Sequence, residues 1–127
     1  MNQVWEDAVA IGWVSLGGGV GAALRYAVDR TVSTRWRTRF PLGTFLVNLS
    51  GSLLLGLVLG LVAGGGSLAV TLVTTGLLAG YTTFSTASVD AVRLLRESRY
   101  VMALTYGLGT LLMTVLAALV GLWIGSA

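Results

Sequence analysis

The residues best placed to do chemistry cluster at Gly80-Tyr81-Thr82-Thr83-Phe84-Ser85-Thr86, in the middle of a long apolar stretch. Each hydroxyl or amide in hydrocarbon costs free energy unless it is paired or faces a wet cavity, so this segment makes no stable lipid-facing helix. Two readings remain open. A helix broken at mid-membrane is tolerated where it is buried in protein or lines a cavity, and the carbonyls it frees suit a small cation. Alternatively the segment is a kink packed against a neighbouring helix.

Two further sets of polar residues recur at helical spacing. Thr44, Asn48 and Ser52 lie four apart, as do Tyr106, Thr110 and Thr114, so each set forms a stripe along one helix face. Serine and threonine hydroxyls can bond back to their own helix carbonyls, and either stripe alone reads as structural glue. Asn48 is harder to satisfy locally, because its amide has two donors at one end and an acceptor with two lone pairs at the other. Two parallel stripes suggest a narrow, uncharged polar track. Arg25 follows the glycine-rich run Gly17-Gly18-Gly19-Val20-Gly21. It is either an interfacial anchor that snorkels to the surface or a fixed positive charge at a pore mouth.

Composition says what must position these residues. The 127 residues are 55% apolar and 10% charged, with 18 glycines, whereas soluble domains run near about 25% charged. No Asp, Glu, Lys or Arg occurs between Arg39 and Asp90, and none from Tyr100 to Ala127. A helix needs roughly 20 apolar residues to cross a bilayer. The chain therefore reads as an all-α membrane protein, one unit over 1–127, with four transmembrane helices near 8–28, 41–63, 67–89 and 100–125 and a broken third helix. The runs are continuous rather than alternating, which argues against a β-barrel.

The connections follow from the same pattern. Arg30 to Arg39 is expected as the first loop, with Pro41 in the first turn of the second helix. Gly64-Gly65-Gly66-Ser67 is expected as a tight turn, and Asp90 to Arg99 as the third connection. Glycines at four-residue spacing, Gly17 with Gly21, Gly56 with Gly60 and Gly64, and Gly121 with Gly125, would let helix backbones approach closely. The first span is expected to be permanent, because no basic side chain precedes it as in a signal peptide.

Several function classes are disfavoured. With no cysteine and no histidine there are no disulfides, thiolate nucleophiles, usual zinc sites or imidazole acid–base groups, which leaves an enzyme little to work with. The pI near 10 reflects arginines confined to two loops between spans, a pattern explained by membrane topology and not by nucleic acid.

Three linked motifs carry a family resemblance. Gly18 to Tyr26, Gly43-Thr44 with Val47-Asn48 and Gly51, and Gly80 through Thr86 resemble, in order and spacing, the Fluc (CrcB) fluoride channel family. The resemblance implies an antiparallel dimer of four-span subunits in the cell membrane, with two fluoride pores and a structural sodium ion at the interface. It further implies that Phe84 and Asn48 are pore residues, joined by Thr44, Ser85, Tyr106, Thr110 and Thr114, with Arg25 at the vestibule. Sodium would be held by the backbone carbonyls of Ala79 and Thr82, where many relatives have glycine at the position of Ala79. The chain departs from the family at Ala87, where a second pore phenylalanine is usual. A methyl group offers no aromatic edge, so a pore relying on this position is expected to be altered or dead.

The rival reading is a small four-span multidrug or guanidinium exporter, which needs a carboxylate inside the membrane. The sequence places Glu6 and Asp7 before the first span and suggests no acid within any span. An accessory membrane protein without transport has no need of a broken helix and paired polar stripes. The arginines Arg30, Arg35, Arg37, Arg39, Arg93, Arg96 and Arg99 all fall on one side, with Arg25 at its edge. The positive-inside rule then puts both termini outside. A subunit fixed in one orientation favours a heterodimer over a homodimer, with a separate partner inserted the other way.

Overall fold

The structure, a computed structural model, describes residues 2–127. Five helices follow one another: α1 (Asn2–Arg35), α2 (Leu42–Val62), α3 (Leu68–Tyr81), α4 (Phe84–Arg96) and α5 (Tyr100–Gly125). Four segments are long and apolar enough to cross a membrane, α3 and α4 together forming the third. The four expected spans are therefore present.

Their ends differ from expectation in four places, beginning with the start of the chain, where α1 begins at Asn2 and takes in Glu6 and Asp7, expected before the first span. α1 continues to Arg35, so the first connection is only 36–41. At 34 residues it is about 50 Å long, against about 30 Å of hydrocarbon. The helix outruns the membrane because backbone hydrogen bonding continues where apolarity stops. Pro41 sits at the N-cap of α2, outside its first turn. The stretch expected as the third connection is mostly helix, since α4 runs to Arg96 and leaves 97–99 as the turn. Glu97 N–H closes that helix onto the carbonyls of Arg93 and Leu95, and Ser98 turns the chain at a positive φ of 58°. The glycine turn falls as expected at 63–67, with Gly65 at φ 110°, where a side chain is disfavoured.

Two helix pairs, α1 with α3 and α2 with α5, dominate the packing. Glycine makes both possible, because lipid gives helices no hydrophobic reason to associate and close backbone contact substitutes. A Cβ on Gly17 or Gly21 would strike the backbone of Val73 or Leu77, and one on Gly76 or Gly80 that of Val14 or Gly18. Gly56 and Gly60 meet Ala118, Leu122 and Gly125 in the same way, while Gly121 and Gly125 meet Leu53 and Leu57. Gly64 has open space around it and takes no part. The small buried core, Leu94, Ala103 and Tyr106, lies where α4 meets α5.

Candidate functional site

The third span breaks between Tyr81 and Phe84, inside the cluster picked out by residue type. Thr83 caps the new helix, its Oγ1 accepting from Thr86 N–H at 3.1 Å. Asn48 holds the same residue from α2: its Nδ2 donates to Thr83 O at 2.8 Å, and Thr83 N–H donates to Asn48 Oδ1 at 2.8 Å. That N–H would otherwise serve the carbonyl of Ala79, four residues back. The carbonyl of Ala79 thereby loses its helical donor, while that of Leu78 keeps the N–H of Thr82. Gly51 admits the break, for a Cβ there would strike Thr82 and crowd Tyr81, whose hydroxyl is 3.0 Å from Ser50 Oγ.

Beside the break lies an open groove of about 370 Å³, walled by α2, α4 and α5. It collects Asn48 and Ser52 from one stripe and Tyr106, Thr110 and Thr114 from the other, with Thr82, Phe84 and Ala87 between them. No charged side chain lines it. Phe84, at the first position of α4, is 88% exposed. Thr110 Oγ1 is buried and has no hydrogen-bond partner among the described residues. Thr114, by contrast, bonds back to Thr110 O at 2.7 Å.

The remaining expected site residues lie apart from this groove. Arg25 and Thr44 line a second cavity of about 180 Å³ with Asp29 and Thr86, and Thr83 forms a wall of both spaces. Ser85 is exposed, 3.4 Å from Thr83 Oγ1, and Ala79 is exposed on α3. Among the described residues no group of three acidic, histidine or cysteine side chains could hold a metal. A cation here would depend on backbone carbonyls.

Residue type alone missed Asp90. Placed in a loop by its charge, it is instead helical and turned inward, its side chain only 14% exposed. Thr44 Oγ1 donates to Asp90 Oδ2 at 3.0 Å, Tyr106 O–H donates to the same oxygen at 3.4 Å, and Arg93 lies 3.6 Å from Oδ1. The expectation of no acid within a span is corrected by this residue, whose charge is tolerated because donors surround it. Its signal was present: Thr83, Thr86 and Asp90 stand at i, i+3 and i+7, one face of one helix. Asp29 is a second acid that residue type alone does not single out. Its carboxylate packs against Gly43 at the start of α2, where any side chain would collide with it.

Comparison with known proteins places this architecture. A protein from Leifsonia xyli subsp. xyli, named Fluoride-specific ion channel FluC 1, is 43% identical over 114 residues, covering 88% of this chain and 83% of its own. The Fluoride-specific ion channel FluC 2 of Nitrobacter hamburgensis is 41% identical, with 86% of this chain and 90% of its own covered. The Fluoride-specific ion channel FluC 3 of Bifidobacterium longum is 44% identical over 115 residues, with 85% and 91% covered. The family model described as CrcB-like protein, Camphor Resistance (CrcB), matches residues 12–122, and the chain belongs to that family.

Proposed function

We propose that the chain is a subunit of a fluoride-selective channel that lets fluoride leave the cytoplasm and so relieves its toxicity. The observation that carries this reading is the uncharged groove, in which hydroxyls, an amide and an aromatic ring converge from three helices. Fluoride is small and strongly hydrated. A pore must replace its water with O–H, N–H and ring-edge contacts and avoid a deep trap. Asn48 has one amide hydrogen left after gripping Thr83, and Thr110 has an uncommitted hydroxyl. In this reading Phe84, Asn48, Tyr106, Thr110 and Thr114 meet the ion, Thr44 and Ser85 flank its path, and Arg25 draws anions to the vestibule. The three relatives named above as fluoride-specific ion channels support the choice of ion.

The exporter reading is weaker. Asp90 is an acid within the third span, but its oxygens are engaged by Thr44, Tyr106 and Arg93, and it does not line the groove. A proton-coupled exporter needs a carboxylate facing its substrate.

The assembly we favour is an antiparallel dimer in the plasma membrane, with a structural sodium ion on the carbonyls of Ala79 and Thr82. Donor chemistry supports the ion site, since Asn48 takes the N–H that Ala79 O would have used, and freed neutral carbonyls suit a monovalent cation. Both arginine-bearing connections meet at one end of the bundle, with Arg39, Arg93 and Arg99 around one cavity. The positive-inside rule assigns that end to the cytoplasm and both termini to the outside. A fixed orientation calls for a separate partner chain. Ala87, which lines the groove without an aromatic edge, fits a heterodimer in which one pore has degenerated.

Fluoride efflux from loaded liposomes, read by electrode beside a chloride control, tests the activity. Equal fluoride and chloride release, or none from the chain with its partner, overturns it. Single-cysteine labelling at the C-terminus of intact cells tests orientation: labelling from both sides removes the fixed topology, and strong flux from this chain alone removes the need for a partner.

A further inference from the structure

The arginine end of the bundle carries a second feature, outside the groove. A cavity of about 460 Å³ opens there, lined by Thr38, Arg39, Arg93, Glu97 and Arg99. Arg99 lies 3.5 Å from Glu97, and Arg93 3.6 Å from Asp90. Arg39 forms no ion pair among the described residues, so the cavity holds an excess of positive charge. An anion with several oxygen acceptors matches three guanidinium groups that converge from two connections and the last turn of α4.

The neighbouring surface says what kind of anion it is. Arg93 also walls an adjoining trough of about 350 Å³ on the outer face of α4, lined otherwise by Ser88, Val89, Val92 and Arg96. Val89 and Val92 are 67% and 48% exposed. Along α4 the trough runs from Arg96 towards the mid-membrane break, so the basic cavity lies at the membrane surface and the apolar trough lies deeper. Exposed Trp36 and Tyr100 stand at the same end, where aromatic side chains mark headgroup depth. A free phosphate would satisfy the arginines and leave the valine trough uncovered. A neutral lipid would cover the trough and leave the charge unmatched.

We infer that this end of the subunit binds an anionic phospholipid, its phosphate among Arg39, Arg93 and Arg99 and an acyl chain along Val89 and Val92. Basic pockets between membrane helices bind anionic headgroups on the same physical grounds. The site does not depend on which ion passes the groove.

The test uses the purified full chain in detergent, with phosphatidylglycerol, phosphatidylcholine and tail-less glycerol phosphate as probes. Bound lipid is counted by native mass spectrometry, and thermal protection is measured alongside. Phosphatidylglycerol should be retained in preference to phosphatidylcholine, while glycerol phosphate should protect little at equal concentration. Arg39→Gln and Arg99→Gln should each weaken that preference roughly fivefold, and Arg39→Lys should keep most of it. Arg39 is exposed in a connection, so its replacement leaves folding intact. Unchanged preference in the double glutamine variant overturns the proposal, as does protection by glycerol phosphate equal to that by the lipid.

Discussion

Asn48 grips the backbone of Thr83 at both ends of its amide, each hydrogen bond being 2.8 Å long. A single side chain on α2 thus holds the third span open. Without it the N–H and C=O of Thr83, a residue only 7% exposed, would lose their partners at the point where the helix is broken.

Replacing Asn48 with alanine should therefore destabilise the chain by about 2–4 kcal/mol, the cost of leaving two buried backbone groups unpaired. Denaturant unfolding in detergent measures this. Wild-type stability would show that the break holds itself.

Phe84→Ile should leave stability nearly unchanged, because the ring is 88% exposed and loses little packing. A favourable contact of the aromatic edge is worth up to about 1.5 kcal/mol, so fluoride flux should fall about tenfold. Normal flux through purified variant channels would make Phe84 a packing residue.

Thr110→Val separates stability from transport in the opposite way to Asn48→Ala. The hydroxyl it removes is buried and unpartnered, so stability should hold or rise by up to about 1 kcal/mol. Flux should fall several-fold if that hydroxyl meets the ion. Wild-type flux would remove Thr110 from the path.

A sodium ion on backbone carbonyls should be indifferent to nearby side chains. Thr82→Ser keeps both the carbonyl and a hydroxyl able to bond Leu78 O, so sodium binding and flux should both survive. Fluoride flux that scales with a sodium gradient at constant fluoride driving force would mean coupled transport.

The glycines give a matched pair of tests. Gly80→Ala forces a methyl group into the backbone of Gly18 and should cost about 1–3 kcal/mol in thermal unfolding. Gly109→Ala meets nothing within 4 Å and should be neutral or mildly stabilising through helix propensity. Loss of assembly in the second variant would show that its face is covered by another subunit.

The spans and the break were legible because apolar run length and hydroxyl density are local properties of the chain. Asn48 stood out by its valence, and the structure shows where that valence goes. Asp90 was misplaced because a charge near a helix end reads as topology, and its three donors come from α2, α4 and α5. The end of α1 is hidden for a related reason: residues 29–35 are polar apart from Val32, and hydropathy cannot see a helix once it leaves the lipid. Gly76 and Gly80 belong to the same close-packing set as Gly17 and Gly21, although the sequence marks Gly80 as part of the break.

The glycine-lined pairs interleave along the chain, α1 closing on α3 and α2 on α5. A ribosome delivers spans in order, so α1 must wait in the bilayer with its glycine face open until α3 arrives, and α2 must wait for the last helix. Neighbouring spans touch more lightly, as where Asp29 of α1 meets Gly43 of α2. The α1–α3 pair can close once Tyr81 has emerged, whereas α2 gains its glycine-packed partner only with the last span.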